Sequence, residues 1–144
     1  MISRMHLRPV MAYEKVEHTA DLMIRCHAPT LEECFQDAAS AMFDQMTDLE
    51  KVSLQEEFEV ESDGDDHEQR LFGLLSELLY LHDAESLLLK QFHVTFKNDR
   101  VICRAKGERI DPLRHSLRTE IKAVTYHMLR VNPSVPELTV IFDL

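Results

Sequence analysis

The hydrophobic period of this chain changes from two to 3.6 at Thr30-Leu31-Glu32-Glu33, and any fold must respect the strand-to-helix boundary this sets. Before it, Leu22, Ile24 and Cys26 alternate with Met23, Arg25 and His27, the pattern of a half-buried strand over Asp21–Ala28. After it, Leu31, Cys34, Phe35, Ala38, Met42 and Met46 recur at helical spacing and predict an amphipathic helix over 31–46. Thr30 and Glu33 make a capping box at the junction. The threonine hydroxyl accepts from the Glu33 amide, and the Glu33 carboxylate returns to the cap.

The remainder of the chain continues the alternation without a repeat or a linker. Tyr13–Glu17 reads as a short strand, separated from the next by the break at 18–20. Lys51–Glu61 alternates weakly, Ser62-Asp63-Gly64 turns the chain, and Asp65 or Asp66 caps a second helix. In that helix Leu71, Leu74, Leu75, Leu78 and Leu81 form an apolar stripe, which Phe72 and Leu79 widen, so deep burial is expected. Gly73 costs about 1 kcal/mol relative to alanine in a helix interior, and marks either a close approach of another backbone or simple tolerance.

From Ser86 the pattern is β: Phe92, Val94 and Phe96, a turn at Asn98-Asp99, then Val101, Cys103 and Ala105 as hairpin partner. After the irregular segment Asp111–Glu120, two strands follow at Ile121–Val131 and Glu137–Leu144, around a loop with Pro133 and Pro136. The expected fold is a single α+β domain in the order β-β-α-β-α-β-β-β-β, two long helices covering a mixed, mostly antiparallel sheet. Residues 1–12 are read as an N-terminal extension and 13–144 as the domain.

Sixteen Lys and Arg stand against 26 Asp and Glu, a formal charge of −10 dispersed along the chain. Phosphates are held by Lys and Arg, so direct nucleic-acid binding is not expected; basic protein surfaces and divalent cations are. Cys26, Cys34 and Cys103 show no CxxC spacing and read as buried free thiols of a reducing compartment. Met1–Pro9 is basic without an apolar core behind it, and no apolar run approaches the ~20 residues of a membrane span. The expected location is the cytoplasm, and the sequence does not fix an oligomeric state.

Walker, GxGxxG, HExxH, GxSxG and EF-hand signatures are all absent. The acidic turn Asp63–Asp66 lacks the alternating ligands of a calcium loop and reads as solvated. His18 and Asp21 lie three apart at a turn, where His18 and Thr19 bonding the turn backbone is the simpler account and half of a metal site the alternative. The C-terminus is less ordinary, because the chain stops inside a strand pattern, Val140-Ile141-Phe142-Asp143-Leu144. The Asp143 carboxylate and the terminal carboxylate are then neighbours at a strand end, and such anions repel unless protonated or bridged by a cation. Two solvated carboxylates at a frayed end remain the alternative.

Six blocks in order resemble the archease family from Tyr13 to Leu144. They are Tyr13-Glu14 with Glu17-His18-Thr19-Ala20-Asp21; Thr30-Leu31-Glu32-Glu33-Cys34-Phe35; Ala41-Met42-Phe43 with Met46-Thr47-Asp48; Leu78-Leu79-Tyr80-Leu81; Ile121-Lys122-Ala123-Val124-Thr125-Tyr126-His127; and Ile141-Phe142-Asp143-Leu144. Asp63–Asp66 and Pro112–Glu120 do not align, Cys26 and His27 depart from the commonest pattern, and Leu144 stands where isoleucine is common.

The resemblance implies a non-catalytic accessory protein that activates RtcB-type RNA ligases in tRNA splicing and RNA repair, promoting their guanylylation and multiple turnover. It also implies a divalent-metal site formed by Asp21, Asp143 and the main-chain carboxylate of Leu144, with His18 and Lys122 as further members of the functional cluster. Oxygen donors alone favour calcium, with magnesium or manganese as alternatives, over zinc. The competing expectations are a general chaperone of nucleic-acid enzymes and a small metal-dependent hydrolase, the latter without a recognisable nucleophile or base.

Overall fold

The computed structural model describes residues 12–17 and 21–144, with Lys15–Glu17 as backbone only. The expected extension therefore lies, apart from Ala12, outside the described residues. The strands are β1 (Tyr13–Glu17), β2 (Asp21–His27), β3 (Glu56–Asp63), β4 (Leu87–Lys97), β5 (Arg100–Arg109), β6 (Ala123–Asn132) and β7 (Glu137–Asp143). The helices are α1 (Leu31–Met46) and α2 (His67–Glu85), with a 3-10 turn at Leu49–Lys51. The expected order of strands and helices is the observed one.

Two differences concern the sheet. The strands form two sheets, ordered β1-β2-β7-β6 and β3-β5-β4, and every pairing is antiparallel. The helices explain the division. α1 packs on β2 and β4, and α2 on β3 and β6, so each helix bridges the two sheets and is apolar over a wide arc. One continuous core results, with Phe35 and Phe96 edge to face at 5.0 Å and Phe43 stacked on Phe92 at 5.8 Å. Weak alternation near Lys51 also hid the 3-10 turn, while Ser62 and Asp63 end β3 instead of turning.

The caps follow the sequence closely. Thr30 Oγ1 accepts from the Glu33 amide at 3.1 Å, although the Glu33 carboxylate returns to the threonine hydroxyl (2.9 Å). Asp66, not Asp65, caps α2 by accepting from the Gln69 amide at 2.8 Å.

Gly73 is explained by β3. A Cβ there would lie 2.0 Å from Ser62 Oγ, so the close neighbour is a side chain seated under α2, not a backbone. Gly73→Ala should therefore lower stability by about 1 kcal/mol: overpacking costs about 1–3 kcal/mol and exceeds the helix-propensity gain of about 1. Denaturant melts check this, and removing the hydroxyl in Ser62→Ala/Gly73→Ala should recover most of the loss. A stabilised single variant would refute the account.

Candidate metal centre at the end of the four-stranded sheet

The register of β2 against β7 begins with Asp21 opposite Asp143 and runs without a break to His27 opposite Glu137. Directly opposed residues in an antiparallel pair point to the same face, with Cβ atoms about 4.5–5.5 Å apart. Leu22, Ile24, Cys26, Leu138, Val140 and Phe142 face the core, which places Asp21 and Asp143 together on the outer face. Two aspartates from opposite ends of the sequence thus share one sheet end.

β6 holds the tail from the other side. Ala123 pairs with Asp143, the Lys122 amide donates to the Asp143 carbonyl at 2.8 Å, and Thr125 Oγ1 donates to the Ile141 carbonyl at 3.1 Å. The peptide leading into Leu144 is therefore fixed by the sheet, with Leu144 itself half exposed at 38%. The Lys122 side chain is exposed on this segment. His18 lies outside the described residues.

One atom is out of balance. Asp21 Oδ1 is shut off from solvent yet has no hydrogen-bond donor among the described residues. A buried carboxylate oxygen without a donor is costly, and such groups are nearly always satisfied. A cation would satisfy it. Among the described residues no group of three or more His, Cys, Asp or Glu side chains could hold a metal; the set here would be two side chains plus the main-chain carboxylate. All are hard oxygen donors, suited to calcium, magnesium or manganese.

The cysteines add no ligand to this set. Cys26, Cys34 and Cys103 are buried free thiols, as expected. Burial pushes Cys34 up to about 11 and Cys103 up to about 12, and Cys26 well above the usual thiol range, so none offers a thiolate. His82 Nδ1 lies 2.8 Å from the Leu87 carbonyl.

A buried polar knot went unseen in the sequence. Glu108 Oε1 accepts from Arg114 at 2.5 Å, and Glu108 Oε2 from the Ser53 amide at 2.7 Å and from His115 Nε2 at 2.9 Å. His115 Nδ1 in turn accepts from the Asp111 amide at 2.8 Å, which puts the ring hydrogen on Nε2. Arg114 foremost, with Ser53 and His115, holds Glu108 down to about 2 against its burial. The knot pins Asp111–His115 over β5, in the segment that leads to Lys122 and β6.

The comparisons agree with this arrangement of strands and helices. The profile of the Archease protein family (MTH1598/TM1083) matches residues 13–144. Protein archease of Pyrococcus furiosus is 42% identical over 123 residues, 83% of this chain and 87% of that one. The archease-like protein of Drosophila melanogaster is 38% identical, covering 96% and 94%. The solution structure of Methanobacterium thermoautotrophicum protein 1598 superposes with a TM-score of 0.78 at 37% identity, covering 92% of this chain and 98% of that one. The crystal structure of a Thermotoga maritima archease, titled a possible chaperone, gives 0.62 at 21% identity over 91% and 96%, a likeness of fold alone. On the family match and these identities, the chain belongs to the archease family.

Proposed function

We propose that this chain is a non-catalytic activator of an RtcB-type RNA ligase, promoting its guanylylation and multiple turnover through a divalent cation held by Asp21, Asp143 and the Leu144 carboxylate. The observation that supports this reading is the buried Oδ1 of Asp21, without a donor among the described residues and across the ladder from Asp143. Calcium takes 6–8 oxygen ligands, so three protein groups leave positions for water or for a partner's oxygens. When bound, the cation would supply positive charge to orient and neutralise nucleotide phosphates.

The chain's own residues do the positioning. The β2–β7 register sets the two aspartates side by side, and the Lys122 amide fixes the carbonyl before the terminal group. Lys122 adds an exposed cation at the rim of the cluster. With a net charge of −10 the surface favours a basic protein over RNA itself.

The test is ligation and guanylylation with substoichiometric ligase, GTP and divalent metal, with and without the chain. Wild type should confer multiple turnover. Asp21→Ala and Asp143→Ala should each abolish the stimulation while melting as wild type does; full activity in both would refute the reading. A second reading follows the description of the Thermotoga maritima protein as a possible chaperone, together with the acidic surface. It predicts protection of many clients that ignores both aspartates. Turnover of RNA ends or nucleotides by the chain without ligase would overturn its non-catalytic role.

A further inference from the structure

Strand β6 leaves its ladder just beyond the tail. Thr125 pairs with Ile141 and Arg130 with Thr139, so residues 126–129 stand against Val140 alone. The excess chain bulges outward, with Met128 in the left-handed region at φ 56. Bulges that leave side chains aimed at solvent, and non-glycine residues at positive φ, concentrate where a surface is used. Here the bulge exposes Tyr126 at 53% and Met128 at 57%.

Helix α2 supports and extends this surface. Phe72 stacks on Tyr126 with ring centroids 4.2 Å apart and planes at 18°. The Glu68 carboxylate accepts from the Val131 amide at 2.9 Å. Advancing along α2 from Glu68 to Phe72 therefore retraces β6 from Val131 to Tyr126. Ser76 and Tyr80 follow at four-residue steps, each turning about 40° round the helix, and Tyr80 lies about 12 Å along α2 from Phe72, in the direction of Ala123. Tyr80 is 61% exposed. Tyr126 is three residues from Ala123, about 10 Å along the strand, and lies on the helix side of the sheet, so the patch and the two aspartates flank the same sheet end from opposite faces.

We propose that Tyr80, Tyr126 and Met128, backed by Phe72, form the docking surface for a protein partner that presents an apolar pocket in basic surroundings. Tyrosine and methionine are enriched in protein interfaces. The chain's charge of −10 selects a basic partner. On the activator reading, on which this inference rests, that partner is the RNA ligase, held beside the sheet end that carries Asp21 and Asp143.

Affinity of purified RtcB-type ligase for the full chain, measured by calorimetry, tests this with Tyr80→Ser, Tyr126→Ser and Met128→Gly. Each should weaken binding about tenfold or more, as loss of an interface anchor does. Met128→Gly should not lower Tm, because glycine suits φ 56, which separates docking from folding. Guanylylation should return to the wild-type level when each variant is supplied to saturation, whereas Asp143→Ala should bind yet fail to activate at saturation. Unchanged affinity in Tyr80→Ser and Met128→Gly would overturn the surface while leaving the activator reading intact. So would a wild-type dimer that these variants dissolve without loss of ligase affinity, since the occupant would then be a second copy. Patch-dependent binding without stimulation by wild type would uphold the surface and refute the activator reading; no binding by wild type would refute both.

Discussion

Appending two residues, Gly-Ser, after Leu144 should abolish stimulation of ligase guanylylation as completely as Asp143→Ala, with Tm unchanged. The extension leaves both aspartates in place and converts the terminal carboxylate into a neutral peptide, removing one charge and one oxygen from the candidate donor set. The sheet itself is spared, because β7 ends at Asp143 and the Lys122–Asp143 hydrogen bond involves no atom of the added residues. Changing even an outer partner of a metal ligand lowers affinity about tenfold to a hundredfold, and loss of a charged ligand should do at least as much. A readout independent of the ligase is available: millimolar calcium should raise the Tm of wild type, since a ligand that binds only the folded state stabilises it, and should not raise that of the extended chain. The same two residues added before Met1 should change neither measurement. Full stimulation by the extended chain would show that the terminal carboxylate is not a ligand.

How much of this was legible in the sequence depends on whether the signal was local. Helix α1 was, because a capping threonine and an apolar stripe are both contained in residues 30–46. The hairpin of β4 and β5 was, because the turn at Asn98-Asp99 and its flanking alternation are contiguous; Asn98 sits at φ 60, where asparagine is tolerated. The division into two sheets was not, since it depends on each helix contacting strands distant in sequence. The candidate site was half legible: an aspartate beside a terminal carboxylate can be read from the last two residues, but Asp21 reaches them only through the β2–β7 register. The bulge in β6 left no trace, as Ala123–Asn132 reads as a plain strand.

Glu108 was hidden for a related reason. By the alternation of β5 it belongs to the outer face with Arg104 and Lys106, yet it is 6% exposed because Asp111–His115 folds back over it. Glu108→Ala should be clearly destabilising, by about 1–3 kcal/mol, since it leaves the buried His115 and Ser53 donors unsatisfied while Arg114, 46% exposed, can turn to water. His115, the Ser53 amide and Arg114 all lose their acceptor together. Glu108→Gln keeps the shape and should lose less.

The two substitutions also differ from wild type in their pH dependence. Glu108 titrates at about 2 when folded, below the ordinary carboxylate value of about 4.3, so its contribution is present above pH ~4.3 and lost as pH falls toward 2. Asp37 runs the other way. Burial, opposed by the hydrogen bond from the Ala12 amide, pushes it up to about 7, so its charged form costs stability that is regained as pH falls from about 7 toward 4. Denaturant melts from pH 8 to 3 should therefore show wild type steepest below pH ~4, Glu108→Gln flattened on that acid limb, and Asp37→Asn flattened on the neutral one. An acid limb as steep in Glu108→Gln as in wild type would place the acid lability elsewhere, and with it the reason Asp111–His115 stays folded over β5.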